Sequence, residues 1–144
     1  MQFAFPPYPL RRQQRDGKQY VWDVLRKKWL VLSPEEFVRQ QLVHYLLHEK
    51  GVSAALIAIE KEIRFHRLKK RLDVLVFDAE GKPFILCECK APEVKLGQNT
   101  LHQIARYNVG LQAPHLLITN GLELWFFSKN EAEQYELQAG GWYK

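Results

Sequence analysis

The sequence predicts an α/β fold: a mixed central sheet flanked by helices, with an extra N-terminal hairpin. Three observations carry this. Ser33-Pro34-Glu35-Glu36 opens a helix, with Ser33 as N-cap, Pro34 in the first turn and Glu36 at the capping-box position. Three short apolar runs follow, at 55–65, 72–77 and 85–90, each too short for a helix and broken by turn formers. A second helical stretch at 98–110 then precedes another apolar run at 115–119. The order is α-β-β-β-α-β.

Composition sets limits. With 144 residues, 47% hydrophobic and 26% charged, the chain is expected to form one domain whose core needs no disulfide or structural metal. Residues 1–18 hold three of the prolines and a basic cluster, Arg11-Arg12-Gln13-Gln14-Arg15-Asp16-Gly17-Lys18, and read as a tail before a domain at 19–144. That cluster is either solvated or in touch with phosphate. No stretch approaches the roughly 18 apolar residues of a membrane span. The first residues lack the order of a secretory signal, so no membrane role and a cytoplasmic location are expected. The formal charge of +5 permits nucleic-acid binding without demanding it.

The remaining elements follow in order. Residues 19–22 and 29–32 read as two short strands of a peripheral hairpin. The first helix is expected to run to about Lys50 and stop at Gly51. Val38, Leu42, Tyr45 and Leu46 form one stripe, and Glu36, Gln40, Val43 and Leu47 another, so Glu36 heads a row facing protein. Closing the capping box is its plainest role. In the strand at 55–65, Ile57, Ile59, Ile63 and Phe65 share a face and Glu60, Glu62 and Arg64 take the other. His66-Arg67-Leu68-Lys69-Lys70-Arg71 reads as a basic turn, ordinary when solvated but here next to an acid. The second helix carries Leu101, Ile104, Ala105 and Asn108 inward. Gln103 and Tyr107 are i and i+4 on one stripe, which suits an ordinary surface pair. Asn120-Gly121 signals a two-residue turn into a partner strand at 122–127. A frayed edge strand containing Tyr135 and Trp142 closes the chain.

The chemistry concentrates in the hairpin formed by 72–77 and 85–90. With Glu80-Gly81 at the tip, 78 pairs with 83, 76 with 85 and 73 with 88, unless a bulge at Gly81 shifts the register by one. Asp73 then faces Glu88, with Cβ atoms about 4.5–5.5 Å apart. Alternation puts Glu88 and Lys90 on one face and Cys87 and Cys89 on the other. The cysteines are badly placed to bond each other and read as packed thiols. Opposed carboxylates weaken a sheet unless something cationic sits between them. Two carboxylates, waters and a substrate phosphate describe a Mg²⁺ site, and Lys90 beside it would orient water or meet charge on phosphate. The bland alternative is a surface hairpin with scattered charges, because an Asp followed at a distance by Glu-x-Lys is a loose pattern.

Taken together, these residues resemble the PD-(D/E)XK nuclease superfamily. The likeness is to the N-terminal nuclease domain of type I restriction enzyme R proteins, in a stand-alone form, over about residues 22–127. Ser33-Pro34-Glu35-Glu36-Phe37-Val38-Arg39-Gln40 is similar to the first helix, with Glu36 as its acid. Lys70-Arg71-Leu72-Asp73 is similar to the second-strand motif and Glu88-Cys89-Lys90-Ala91-Pro92 to the E-x-K motif. Gln103-Ile104-Ala105-Arg106-Tyr107-Asn108 resembles the Q-x-x-x-Y element, and Thr119-Asn120-Gly121 fits the turn after the following strand. Leu72 stands where the superfamily's eponymous Pro would be. No Walker-type loop is present, so no motor activity is expected of these residues.

The resemblance implies a restriction-endonuclease-like fold and Mg²⁺-dependent DNA cleavage, with Mn²⁺ as a substitute. It implies that Asp73, Glu88 and the Cys89 backbone carbonyl hold the metal and that Lys90 positions the attacking water. Gln103 and Tyr107 would shape the site or touch the DNA backbone, and Glu36 would hold a second metal or a water. Arg67, Lys69, Lys70, Arg71, Lys95 and Arg106 are the expected DNA-contacting cations. Expected partners are DNA and either a second copy in a homodimer or subunits of a restriction or defence complex. The competing expectations are a nucleic-acid-binding module without turnover and an assembly module.

Overall fold

The computed structural model describes residues 4–65 and 68–138, with side chains described except at 63–65 and 68–70. Two sheets form. Strands β1 (Arg12–Arg15), β2 (Lys18–Asp23) and β3 (Lys28–Val31) make a small antiparallel sheet. Strands β4 (Ile57–Phe65), β5 (Leu68–Phe77), β6 (Pro83–Cys89), β7 (His115–Thr119), β8 (Leu124–Lys129) and β9 (Tyr135–Leu137) lie in that order in the main sheet. Helix α1 (Pro34–His44) precedes β4, and α2 (Gln98–Leu111) joins β6 to β7. Among the described residues only β6 and β7 run parallel; that pairing needs a crossover, which α2 supplies. The architecture is the mixed sheet flanked by helices that the sequence predicts, with a restriction-endonuclease-like core.

Both faces of the main sheet are covered. Val38, Leu42, Val43 and Leu46 of α1 pack against Val74, Val76, Ile85, Cys87 and Cys89. Ile104 of α2 joins Leu72, Leu75, Leu86, Leu116 and Ile118 on the other side. Central strands buried on two faces read as continuous apolar runs, which is why 85–89 and 115–119 lack alternation. Both cysteines are buried free thiols on the α1 side, as expected. Burial pushes both thiols up, and the nearby Asp73 carboxylate adds to it.

Several expectations change. The segment read as a tail contains β1, paired to β2 from Arg12↔Val21 to Arg15↔Lys18, and Phe5 is buried. Polar, exposed strands leave no apolar signature in a sequence. The basic stretch read as a turn is largely strand, since β5 begins at Leu68 and pairs with Phe65. The first helix does run to Glu49 and stop before Gly51, at φ +66°, but only Pro34–His44 is α-helical and its last stretch, Tyr45–Glu49, is π-helical. The Asn120-Gly121 turn is wider than two residues, because Thr119 pairs with Leu124. Asn120 Oδ1 accepts from the Leu122 and Glu123 N–H groups at 2.9 and 2.8 Å, an Asx turn in place of a tight hairpin. Tyr135 lies in β9 as expected, and Trp142 lies outside the described residues. Among the described residues no helix is long and apolar enough to cross a membrane.

Gly121 tests how that turn docks on α1. Its φ is +91°, and an added Cβ would stand 3.3 Å from Val38 Cγ2. Gly121→Ala is expected to cost about 1–3 kcal/mol by urea unfolding. Gly17→Ala shares the positive φ, at +77°, but meets nothing within 4 Å and is expected to cost less. Equal losses would show that the contact with Val38 contributes nothing.

Candidate active site

The β5–β6 ladder keeps the expected register at Val76↔Ile85, Leu75↔Leu86 and Val74↔Cys87, and then the strands part. One further step sets Asp73 opposite Glu88. The irregularity falls between Val76 and Phe77, not at Gly81, so Phe77 meets Pro83. On its other side β6 stays paired with β7 as far as Cys89↔Thr119, and the Lys90 N–H donates to the Thr119 carbonyl at 2.9 Å. The backbone groups of Cys89 therefore face β5. Its N–H donates to Asp73 Oδ2 at 2.8 Å, a carboxylate taking the place of a ladder carbonyl. The Cys89 carbonyl points to the same side, since both polar groups of a strand residue do. Asp73 and Glu88 are only 9% and 6% exposed. Lys90 Nζ stands 3.3 Å from Glu88 Oε2. The structure thus gathers Asp73, Glu88, Lys90 and the Cys89 backbone at one fork of the sheet.

Glu36 reaches this fork through an arginine. Ser33 Oγ accepts the Glu36 N–H at 3.1 Å, so the N-cap is as read. The Glu36 carboxylate turns inward and accepts from Arg39 Nε at 3.1 Å, from a second Arg39 N–H, and from Gln40 Nε2 at 2.9 Å. Arg39 Nη1 donates to Asp73 Oδ1 at 3.2 Å, and Arg39 Nη2 lies 3.6 Å from Glu60 Oε1. Burial works to lower the Arg39 guanidinium, but the hydrogen bond and charge of Glu36, then the charges of Glu60 and Asp73, hold it above its ordinary range.

Glu60 enters through an unusual backbone. It sits mid-strand at φ +52°, between the paired residues Ile59↔Val74 and Lys61↔Leu72, across from Asp73. A non-glycine residue in this region is held there by its surroundings. Those surroundings are three arginines: Arg26 at 2.7 Å, Arg39 at 3.6 Å and Arg71 at 3.7 Å. Burial pushes the Glu60 carboxyl up, but the Arg26 hydrogen bond and the three cations outweigh it and leave it low. Arg26 also bonds Asp23, which is fully buried. There too burial is outweighed, by hydrogen bonds from the Arg26 backbone and side chain and from the Leu25 backbone, so the carboxyl lies below its usual range.

The other expected residues lie around this centre. Gln103 is exposed on α2; Tyr107 is half-buried and packs on the α2-side core. Arg71 is exposed and pairs with Glu60, and Lys95 and Arg106 are exposed. The side chains of Arg67, Lys69 and Lys70 lie outside the described residues. Sequence reasoning gave no role to Arg39, Glu60, Arg26 or Asp23. The i,i+3 spacing of Glu36 and Arg39 was the available signal for the first.

The oxygens at the fork suit a hard cation. The buried Asp73 carboxylate holds the Cys89 N–H, the buried Glu88 precedes Cys89 in the chain, and Gln40 Oε1, beside Glu36, is buried with no hydrogen-bond partner among the described residues. Arg39 already covers one Asp73 oxygen. No group of three or more His, Cys, Asp or Glu side chains among the described residues converges as a metal cluster. The family described as type I restriction enzyme R protein N terminus matches residues 34–139. No curated protein matches the chain.

Arg39→Met would leave Glu36, Glu60 and Asp73 crowded without their shared cation, and is expected to cost about 3–5 kcal/mol of stability in urea unfolding. The lowered Asp23 and Glu60 carboxyls contribute stability above the ordinary carboxylate range, about pH 4, and that contribution is lost as pH falls through their folded values. Asp23→Asn is therefore expected to flatten the fall in stability below pH 4. An unchanged acid limb would rule out Asp23 as its source.

Proposed function

This chain belongs to the type I restriction enzyme R protein N-terminal family, and from that membership and the fork geometry we propose that it is a Mg²⁺-dependent endonuclease hydrolysing DNA phosphodiesters. The single observation that carries the reading is the Cys89 N–H held by Asp73 at 2.8 Å where β5 and β6 part, with Glu88 and Lys90, 3.3 Å apart, on either side of Cys89. Asp73, Glu88 and the Cys89 carbonyl would hold Mg²⁺, or Mn²⁺ in its place, leaving other positions to water and a phosphate oxygen. The cation, when bound, supplies Lewis acidity at phosphate and a more acidic water.

The chain's own groups do the rest. The Cys89 N–H fixes one Asp73 oxygen at 2.8 Å, so the carboxylate is oriented before any ligand arrives. Lys90 Nζ, with its side chain 27% exposed, is a cationic donor reachable from solvent. It orients water and meets the negative charge that grows on the phosphate oxygens. Arg39 holds Glu36 and Glu60 in place behind Asp73. Gln103 and Tyr107 act from α2 on the approaching DNA backbone. Cutting both strands takes two such forks, in a homodimer or with partner subunits.

The second reading is a DNA-binding module without turnover. The contact that favours it is Arg39 on Asp73 Oδ1 at 3.2 Å, where a guanidinium already occupies a carboxylate oxygen. Plasmid nicking separates the two. Cleavage is expected with Mg²⁺ or Mn²⁺ and is expected to stop on chelation. Asp73→Asn, Glu88→Gln and Lys90→Ala should each lower the rate at least about 100-fold. Wild type and Lys90→Ala cutting alike would sink the endonuclease reading, and salt-dependent binding without cleavage would establish the second.

A further inference from the structure

The charge of this chain is unevenly placed. Between residues 11 and 31 stand seven lysines and arginines against two aspartates, while the remainder holds fourteen of each sign. The whole formal charge of +5 therefore belongs to β1–β3 and their turns, a sheet that lies before the family-matched residues 34–139. Arg26 and Asp23 neutralise each other inside it. Arg11, Arg12, Arg15, Lys18, Lys27 and Lys28 are all exposed, and no carboxylate among the described residues lies within ion-pair distance of any of them.

Three of these cations are pre-set. Arg11 lies over the Trp22 and Trp29 rings at 5.1 and 5.3 Å, Arg15 over Tyr20 at 5.3 Å, and Arg12 over Phe37, at the start of α1, at 5.6 Å. A guanidinium stacked on a ring keeps its in-plane N–H fork free, and that fork suits phosphate oxygens. Trp22 and Trp29 touch edge to face and are covered by Arg11, so the sheet presents cations to a ligand rather than ring faces for bases. The sheet is also tied to the fork. Its β2–β3 turn carries Arg26, which bonds Glu60 at 2.7 Å, and Glu60 neighbours Arg39 and Asp73.

We propose that β1–β3 is a docking surface for the phosphate backbone of duplex DNA, running from the β2–β3 turn, which Arg26 ties to Glu60, out along β1. Charge complementarity selects a polyanion; the covered rings select backbone contact over base stacking. The assignment of that polyanion as DNA rests on the endonuclease reading, but the docking itself needs no turnover.

The test is binding, measured by anisotropy of a labelled duplex on the full chain carrying Glu88→Gln, without metal, across a salt series. Arg12→Gln, Arg15→Gln, Lys18→Gln and Lys28→Gln are combined; all four positions are exposed, so the fold is expected to survive, and circular dichroism checks it. The combined variant is expected to bind at least about 30-fold more weakly, with a salt slope shallower by roughly 3. Lys50→Gln with Lys82→Gln, beside the β5–β6 turn, is expected to leave affinity unchanged. Unchanged affinity and slope in the combined variant would overturn the proposal. So would tight binding to anionic phospholipid vesicles with none to duplex, or preference for a single strand. Loss of docking in the combined variant, with no cutting by the wild type, would sink the endonuclease reading and leave the docking surface standing.

Discussion

The buried guanidinium of Arg39 is the interaction on which the site depends. It is the common partner of Glu36 on α1, Glu60 on β4 and Asp73 on β5, three acids that elements far apart in sequence bring together. Without it these carboxylates would repel at close range in a poorly solvated place. Such a network is weak evidence for stability, because buried ion pairs roughly break even against apolar packing of the same shape. Its cost is better explained by what it keeps in place: oriented carboxylates at the mouth of a sheet. The strained backbone at Glu60 fits the same account, since a mid-strand residue at φ +52° persists only where its side chain is strongly held.

The parts that were legible in the sequence are those set by local rules. The register Val76↔Ile85 to Val74↔Cys87 followed from counting outward from Gly81, and alternation alone placed Cys87 and Cys89 together on the α1 side. The start of α1 followed from Ser33 and Pro34. What escaped depends on departures from those rules. Glu60 looked like one exposed acid among three on a strand face; its positive φ turns it toward the arginines, and no neighbouring residue signals this. Glu36 was legible as a buried acid, but its partner was read as the backbone, when Arg39 one turn on was competing for it. Strand β1 escaped because Arg12-Gln13-Gln14-Arg15 buries nothing. Its reason for being a strand lies in its partner β2 and in guanidinium stacking, both invisible to a hydrophobic pattern.

The two apolar clusters explain why the fork is a fixed structure. Each face of β5 and β6 is sealed by a helix, and the ladder holds up to Val74↔Cys87. Beyond that point the strands part, yet β6 remains braced by β7 through Thr119. Asp73 thus bridges a gap whose two sides cannot drift. A carboxylate that satisfies a backbone N–H in such a gap is pre-oriented at no entropic cost on ligand arrival.

Charge placement completes the logic. Around the fork, Glu36, Glu60 and Asp73 share Arg39 and Glu88 pairs with Lys90, and so many carboxylates are a poor greeting for a polyanion. Local cations balance these acids but leave little surplus field to draw a phosphate backbone inward. The surplus sits on β1–β3, joined to the acids by the Arg26–Glu60 pair. Attraction and chemistry are thereby divided between two sheets. On the proposed reading the basic one would raise the local concentration of an anionic strand, and the buried one would hold the groups that act on it. Placing the cations on a separate, exposed sheet spares the fork the desolvation that packing them beside the acids would require.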